Sequence, residues 1–271
     1  MAHHELELAG SDENMMAQVN GIRARLTAAT VGIVAAISVA VLMLWFAVGF
    51  VLYEPVLQAP WRGMSDYQSR FQPALYLAWT IPAFLFAIAF LAMIACIHAW
   101  AEDDQRTWTL LAVAFAVPGA TLMAALYYIQ MTVVPNGLVN GTADSLRLWI
   151  YAPPYPFTFP GALEGVGYGF EGAALLLAAQ AFAGDRLRLW VRWLLRVMGL
   201  SAMVDLVDPV VRLPVALVSA DGALAVILFS ATPILVAVVW WRSRIGLQSE
   251  VKRAAASGSP ADLPVVRPSL T

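Results

Sequence analysis

Hydrophobic residues run through this chain in six long blocks separated by short polar breaks. The blocks extend from about Leu26 to Tyr53, Ala74 to Trp100, Trp108 to Val134, Phe159 to Ala183, Leu189 to Val207 and Leu213 to Trp241. A helix rising 1.5 Å per residue needs roughly 20 apolar residues to cross about 30 Å of hydrocarbon, so each block has the length of a span. Inside lipid the backbone can bond only to itself, which leaves the α-helix as the conformation of each block. The pattern therefore predicts an all-α integral membrane protein. A bundle of six transmembrane helices over residues 25–242 is expected, flanked by a polar N-terminal tail, 1–24, and a disordered C-terminal tail, 243–271. The first block is too long for the 7–15-residue apolar core of a cleaved signal peptide and is expected to remain as the first span. Pro82, Pro118 and Pro233 lie inside blocks, where a kink is expected.

Composition sharpens this reading. Charged residues make up 13% of the chain and hydrophobic ones 61%, whereas soluble domains carry about a quarter charged residues. The bias toward arginine and alanine, with Lys252 as the only lysine, matches a high-GC bacterial gene. Arg23, Arg25, Arg106, Arg186, Arg188, Arg192, Arg242, Arg244, Lys252 and Arg253 fall on one side of the alternating spans. Arg62, Arg70, Arg147 and Arg212 fall on the other. The positive-inside rule then places both termini in the cytoplasm of a cell (inner) membrane. A net charge of −2 with no basic arm gives no sign of a nucleic-acid partner. Cys96 stands alone, which excludes an intrachain disulfide and a cysteine metal cluster. His98 is the only histidine outside the N-terminal tail, so paired axial haem ligands are excluded, and no cofactor or metal is expected.

The fourth block carries the most chemistry. Gly161, Gly165, Gly169 and Gly172 share an arc of about 80°, and Glu164, Tyr168 and Glu171 share the adjacent arc of about 60°. The glycines invite close approach of another helix. The Gly161/Gly165/Gly169 face is accordingly a candidate contact for a protein partner or a second copy. An acid at mid-span costs about 2.5–3.5 kcal/mol on insertion scales, so Glu171 calls for a partner. Arg196 lies at comparable depth on the next antiparallel block and is the expected one, as a buried ion pair. Arg188 and Arg192, two turns and one turn before it, are expected to reach anionic lipid headgroups.

The half of the bundle away from the termini gathers further polar groups: Tyr127, Tyr128 and Gln130, Glu164 and Tyr168, Asp205, and Asp221. Acids at one depth with few cations nearby suggest a shared, outward-facing pocket for a cation or cationic amphiphile. The proline- and aromatic-rich stretch around Tyr155 would roof it. The sequence shows no catalytic signature. The functional expectations are, in order, a non-catalytic subunit or scaffold of a membrane assembly, a cation-binding or transport protein, and a lipid-modifying enzyme.

Overall fold

The computed structural model describes residues 2–140, 146–151 and 158–257. The described residues are predominantly helical and contain no strand. Helix α1 spans Ala2–Gln58, α2 Met64–Arg70, α3 Pro73–Trp100, α4 Arg106–Val139, α5 Phe159–Ala178, α6 Arg186–Val211 and α7 Val215–Ser257. Four segments are long and apolar enough to cross a membrane: 20–58, 73–100, 103–139 and 220–249. Helices α5 and α6 are not among them. Glycines and two glutamates dilute α5, and four arginines and two aspartates dilute α6.

The six long helices close into a ring in chain order. Each packs on the next, and α7 packs back on α1. Neighbours run antiparallel, as paired contacts show: His98 with Thr109 and Tyr76 with Gln130 between α3 and α4, and Gly172 with Gly199 and Gly165 with Asp205 between α5 and α6. An even number of antiparallel helices leaves both chain ends at one end of the bundle, called here the terminal end. The other is the far end.

Local sequence explains the helix limits. Thr158 caps α5 by accepting from the Gly161 amide at 3.2 Å, with Pro160 in the first turn, where its missing N–H costs nothing. Asp185 caps α6 by accepting from the Arg188 amide at 2.9 Å. At the other end of α6, Arg212 takes a left-handed conformation (φ 55°), and buried Asp208 accepts from the Leu213 amide at 2.9 Å, which secures the reversal into α7. The helices run continuously through Pro82, Pro118 and Pro233. Helix α7 also continues past the apolar block to Ser257, so residues 243–257 are helical rather than a disordered tail. Nothing between Arg242 and Ser257 breaks a helix as strongly as proline does. Helix α1 likewise starts at Ala2, within the stretch expected to be a tail.

Among the described residues, buried side chains fill the ring. One buried cluster fills the middle and the terminal end with Phe86, Phe90, Met93, Leu175, Phe182, Met198, Phe229 and Trp240. A second, aromatic cluster fills the far end with Tyr53, Tyr67, Tyr76, Trp79, Tyr127 and Tyr151. Close crossings use glycine. A Cβ on Gly32 would lie 2.6 Å from the Trp240 ring, and one on Gly49 would lie 2.6 Å from the Ala78 carbonyl oxygen. Outward faces carry Val34, Val41 and Val48 on α1 and Trp193, Val197 and Leu200 on α6. Such surfaces are stable against hydrocarbon and unstable against water.

Candidate functional site

Polar side chains enter the far half of the bundle from five helices and meet as a string. On α3, buried Tyr76 donates its hydroxyl to the Gln130 Oε1 of α4. The Gln130 Nε2 donates to the carbonyl oxygen of Trp149 at 2.9 Å, tying the segment after α4 to the bundle. One turn along α4, Tyr127 donates to the Glu164 Oε1 of α5. Tyr168, the next turn of α5, lies within electrostatic range of Tyr127, Glu164, Asp205 and Glu171. On α6, Asp205 neighbours Asp208 and Asp221, and the Ser201 hydroxyl donates to the Asp221 Oδ1 at 2.8 Å across to α7. A hydroxyl bonded to a carboxylate in a low-dielectric interior is among the stronger neutral-to-charged contacts. Leaving either group bare there would cost several kcal/mol. The string thus holds together helices that apolar packing alone would leave free to rotate.

An aromatic layer surrounds its α3 end. Trp79 is buried with its ring centroid 5.2 Å from Tyr76, 5.4 Å from Tyr151, 6.0 Å from Phe50 and 6.1 Å from Tyr127. The Tyr53 and Tyr67 hydroxyls lie 3.3 Å apart, joining α1 to the short helix α2. Trp79, Tyr76, Tyr53 and Tyr67 are not among the candidate residues drawn from the chain's polar and glycine pattern. The signal was present in the helical spacing of Tyr76, Trp79, Ala83, Phe86 and Phe90, which marks one inward stripe on α3.

Several expected placements are corrected. Tyr128 does not join the string: it is 57% exposed and faces outward beside Phe84. On α4 the inward arc takes Leu126 and Tyr127, and Tyr128, a further 100° around, falls outside it. Glu164 and Asp221 do not line one open cavity. Glu164 is only 7% exposed and bonded to Tyr127, whereas Asp221 is half-buried and bonded to Ser201. Tyr155 of the expected roof lies outside the described residues, while Ile150 and Tyr151 just before it are buried in the aromatic layer.

Glu171 and Arg196 form no ion pair. Both Glu171 carboxylate oxygens are buried without a hydrogen-bond partner among the described residues. The Arg196 guanidinium lies 4.9 Å over the Trp193 ring, on a face of α6 turned away from the interior. The depth argument placed the two alike, but the rotation of α6 separates them. Arg188 and Arg192 each meet a side chain of the protein. The Arg188 guanidinium sits 5.0 Å over Trp100, and Arg192 donates to Gln180 at 2.6 Å.

The glycine face of α5 is taken up within the chain. A Cβ on Gly165 would lie 2.5 Å from the Asp205 carbonyl oxygen, and one on Gly169 would lie 2.6 Å from Leu206, so α6 covers both, while Gly161 is buried. That face is therefore closed to a partner or a second copy. Gly167 points the other way, onto Met123 of α4.

Two clefts open at the terminal end. One of about 190 Å³ is lined by Arg25, Trp100, Glu102, Arg188, Ser243 and Gly246. The other, of about 270 Å³, follows the α1–α7 seam at Leu26, Thr30, Arg244 and Gln248. Among the described residues no three His, Cys, Asp or Glu side chains come together as a metal site would require. The class that fold and site define is an α-helical membrane protein with a packed interior and a buried polar string. No protein-family model, curated protein or solved structure matches the chain.

Proposed function

We propose that the chain is a six-span protein of the cell membrane with both termini in the cytoplasm, serving as a non-catalytic subunit or scaffold of a membrane assembly. The observation that carries this reading is the filling of the ring: its interior holds packed aliphatic and aromatic side chains, with polar groups bonded helix to helix. A transport path or a reaction chamber needs removable volume, and a close-packed interior transmits position instead. The arginine-rich terminal end supports the orientation through the positive-inside rule. Helices α5 and α6 gain their stability in lipid from burying their polar residues on each other and on α4 and α7.

The test has two parts. Reporter fusions after Arg106, after Arg188 and beyond Arg253 are expected to read cytoplasmic, and fusions at Arg62 and Asn140 external. Photo-crosslinking side chains placed in native membranes at Val34, Val41 and Val48 of α1, and at Val197 and Leu200 of α6, are expected to capture one protein of fixed mass from a single helix face. Capture of lipid alone at all five positions would overturn the scaffold. A second reading, binding of a cationic amphiphile rather than a metal ion, is favoured by the electrostatic proximity of Asp205 to Asp208 and Asp221 at the far end of α6 and α7. It predicts cation-dependent stabilisation that is lost in Asp221→Asn.

A further inference from the structure

Glu171 is the one acid of the far-half and mid-bundle set that the string does not employ. Its side chain is 0% exposed, and neither carboxylate oxygen meets a donor or a cation among the described residues. The wall it faces is bare: a Cβ on Gly119 of α4 would lie 3.1 Å from the Glu171 Cγ. The buried residues of α4 on either side of Gly119 are Ala116, Ala120 and Met123, none of them charged.

The ionisable groups on the packed elements lie elsewhere. Helix α3 carries Tyr76 toward the far end, and Cys96 and His98 toward the terminal end. Helix α4 carries Tyr127, bonded to Glu164. Helix α6 carries Arg192, bonded to Gln180, Arg196, stacked outward on Trp193, and Asp205, which borders Tyr168. On α5 itself Tyr168 is the nearest titratable neighbour, one turn toward the far end. Glu171 therefore has no charge partner, and Tyr168 stands between it and the hydroxyl–carboxylate pair of Tyr127 and Glu164.

An ionised carboxylate stripped of water and unpaired costs several kcal/mol in such surroundings, and taking up a proton removes that cost. We propose that Glu171 is a proton-binding site inside the bilayer, exchanging its proton with the far side through Tyr168, Tyr127 and Glu164. Two features make exchange structurally accessible. Hydroxyls and a carboxylate mark the route at successive turns. The α4–α5 contact beside Glu171 runs through Gly119 and Gly167, with only the flexible Met123 side chain packed against Gly167, so a small separation of these helices admits water once Met123 changes rotamer. The inference does not depend on whether the chain has a protein partner.

The probe is dicyclohexylcarbodiimide, an apolar carbodiimide that partitions into bilayers and reacts with the protonated acid. The acid O–H adds across one C=N bond: the proton goes to nitrogen and the carboxyl oxygen to the central carbon. Acyl migration from oxygen to nitrogen then gives a stable N-acylurea, with no other reactant consumed. The full chain in lipid nanodiscs is treated over a range of pH, and the modified residue is located by peptide mass spectrometry.

Glu171 is expected to be labelled in preference to the solvent-facing Glu54 and Glu102. Its labelling rate should fall about tenfold per pH unit once the acid is mostly ionised. Labelling of that peptide should vanish in Glu171→Gln. Tyr168→Phe should slow the response to a pH jump applied from the far side while leaving labelling at acid pH intact. The wild-type result decides the matter even if a variant fails to fold. No labelling of Glu171 at any pH, or a rate indifferent to pH, overturns the proposal. Protection by sodium or potassium at constant pH also overturns it, since the site would then hold a metal cation.

Discussion

The α5–α6 crossing offers a stability test with a magnitude set by geometry. At this crossing a Cβ on Gly172 would lie 2.6 Å from the Gly199 carbonyl oxygen, and a Cβ on Gly199 would lie 2.7 Å from the Gly172 carbonyl oxygen. Carbon-to-oxygen contacts across packed helices settle near 3.3–3.6 Å, so one methyl group falls short of room by roughly 0.6–1 Å. The obstacle is backbone on both sides, and no rotamer change relieves it. Gly172→Ala must push the helices apart along the whole crossing, which also disturbs Gly165 against Asp205 and Gly169 against Leu206. Overpacking of this kind costs about 1–3 kcal/mol, against a gain of at most ~1 kcal/mol from alanine's better helix propensity. The net expectation is destabilisation by about 1–2 kcal/mol.

Gly222 on α7 provides the control: it has nothing within 4 Å of a built Cβ, so Gly222→Ala is expected to be neutral or slightly stabilising. The double variant Gly172→Ala with Gly199→Ala should cost less than the sum of its parts, because the first methyl has already separated the helices. Unfolding of the purified protein in a mild detergent, followed by tryptophan fluorescence against denaturant, measures all four. Equal stability of Gly172→Ala and Gly222→Ala would refute the close crossing.

Trp79→Ala removes the centre of the aromatic layer and should destabilise by about 3–5 kcal/mol, read in the same unfolding assay. Its near-ultraviolet circular dichroism should flatten as the ring contacts with Tyr76, Tyr127 and Tyr151 are lost. Tyr127→Phe removes the hydroxyl donor to the buried Glu164 carboxyl and should cost about 1–3 kcal/mol. Adding Glu164→Gln is expected to recover part of that loss, and strict additivity in the double-mutant cycle would mean that the two side chains do not interact.

Much of the architecture is legible in the amino-acid order because hydropathy and helix formation are local. Each block contains its own reason to be a helix in lipid, and the ends of α3 and α5 fall within a residue or a few of the block limits at Ala74, Trp100 and Phe159. The glycine and carboxylate arcs of α5 follow from its own 100° periodicity; in the packed ring Gly165, Gly169 and Gly172 meet α6, and Glu171 meets α4. What failed were inferences that joined two helices. Equal depth suggests that Glu171 meets Arg196 and that Glu164 and Asp221 share a pocket, and the glycine spacing alone suggests a face open to another chain. Depth along the membrane normal is one coordinate of three.

The other two coordinates, neighbour order and rotation about each helix axis, are set only by the packed ring. Ring closure puts α6 on the glycine face and α4 against Glu171. It turns Arg196 outward onto Trp193, and sends Tyr127 inward while its neighbour Tyr128 faces out. The chain alone determines which segments are helical and which residues are too polar to face lipid without a partner. The tertiary structure decides which partner each receives, because that choice minimises the energy of all six helices together and no single helix encodes it.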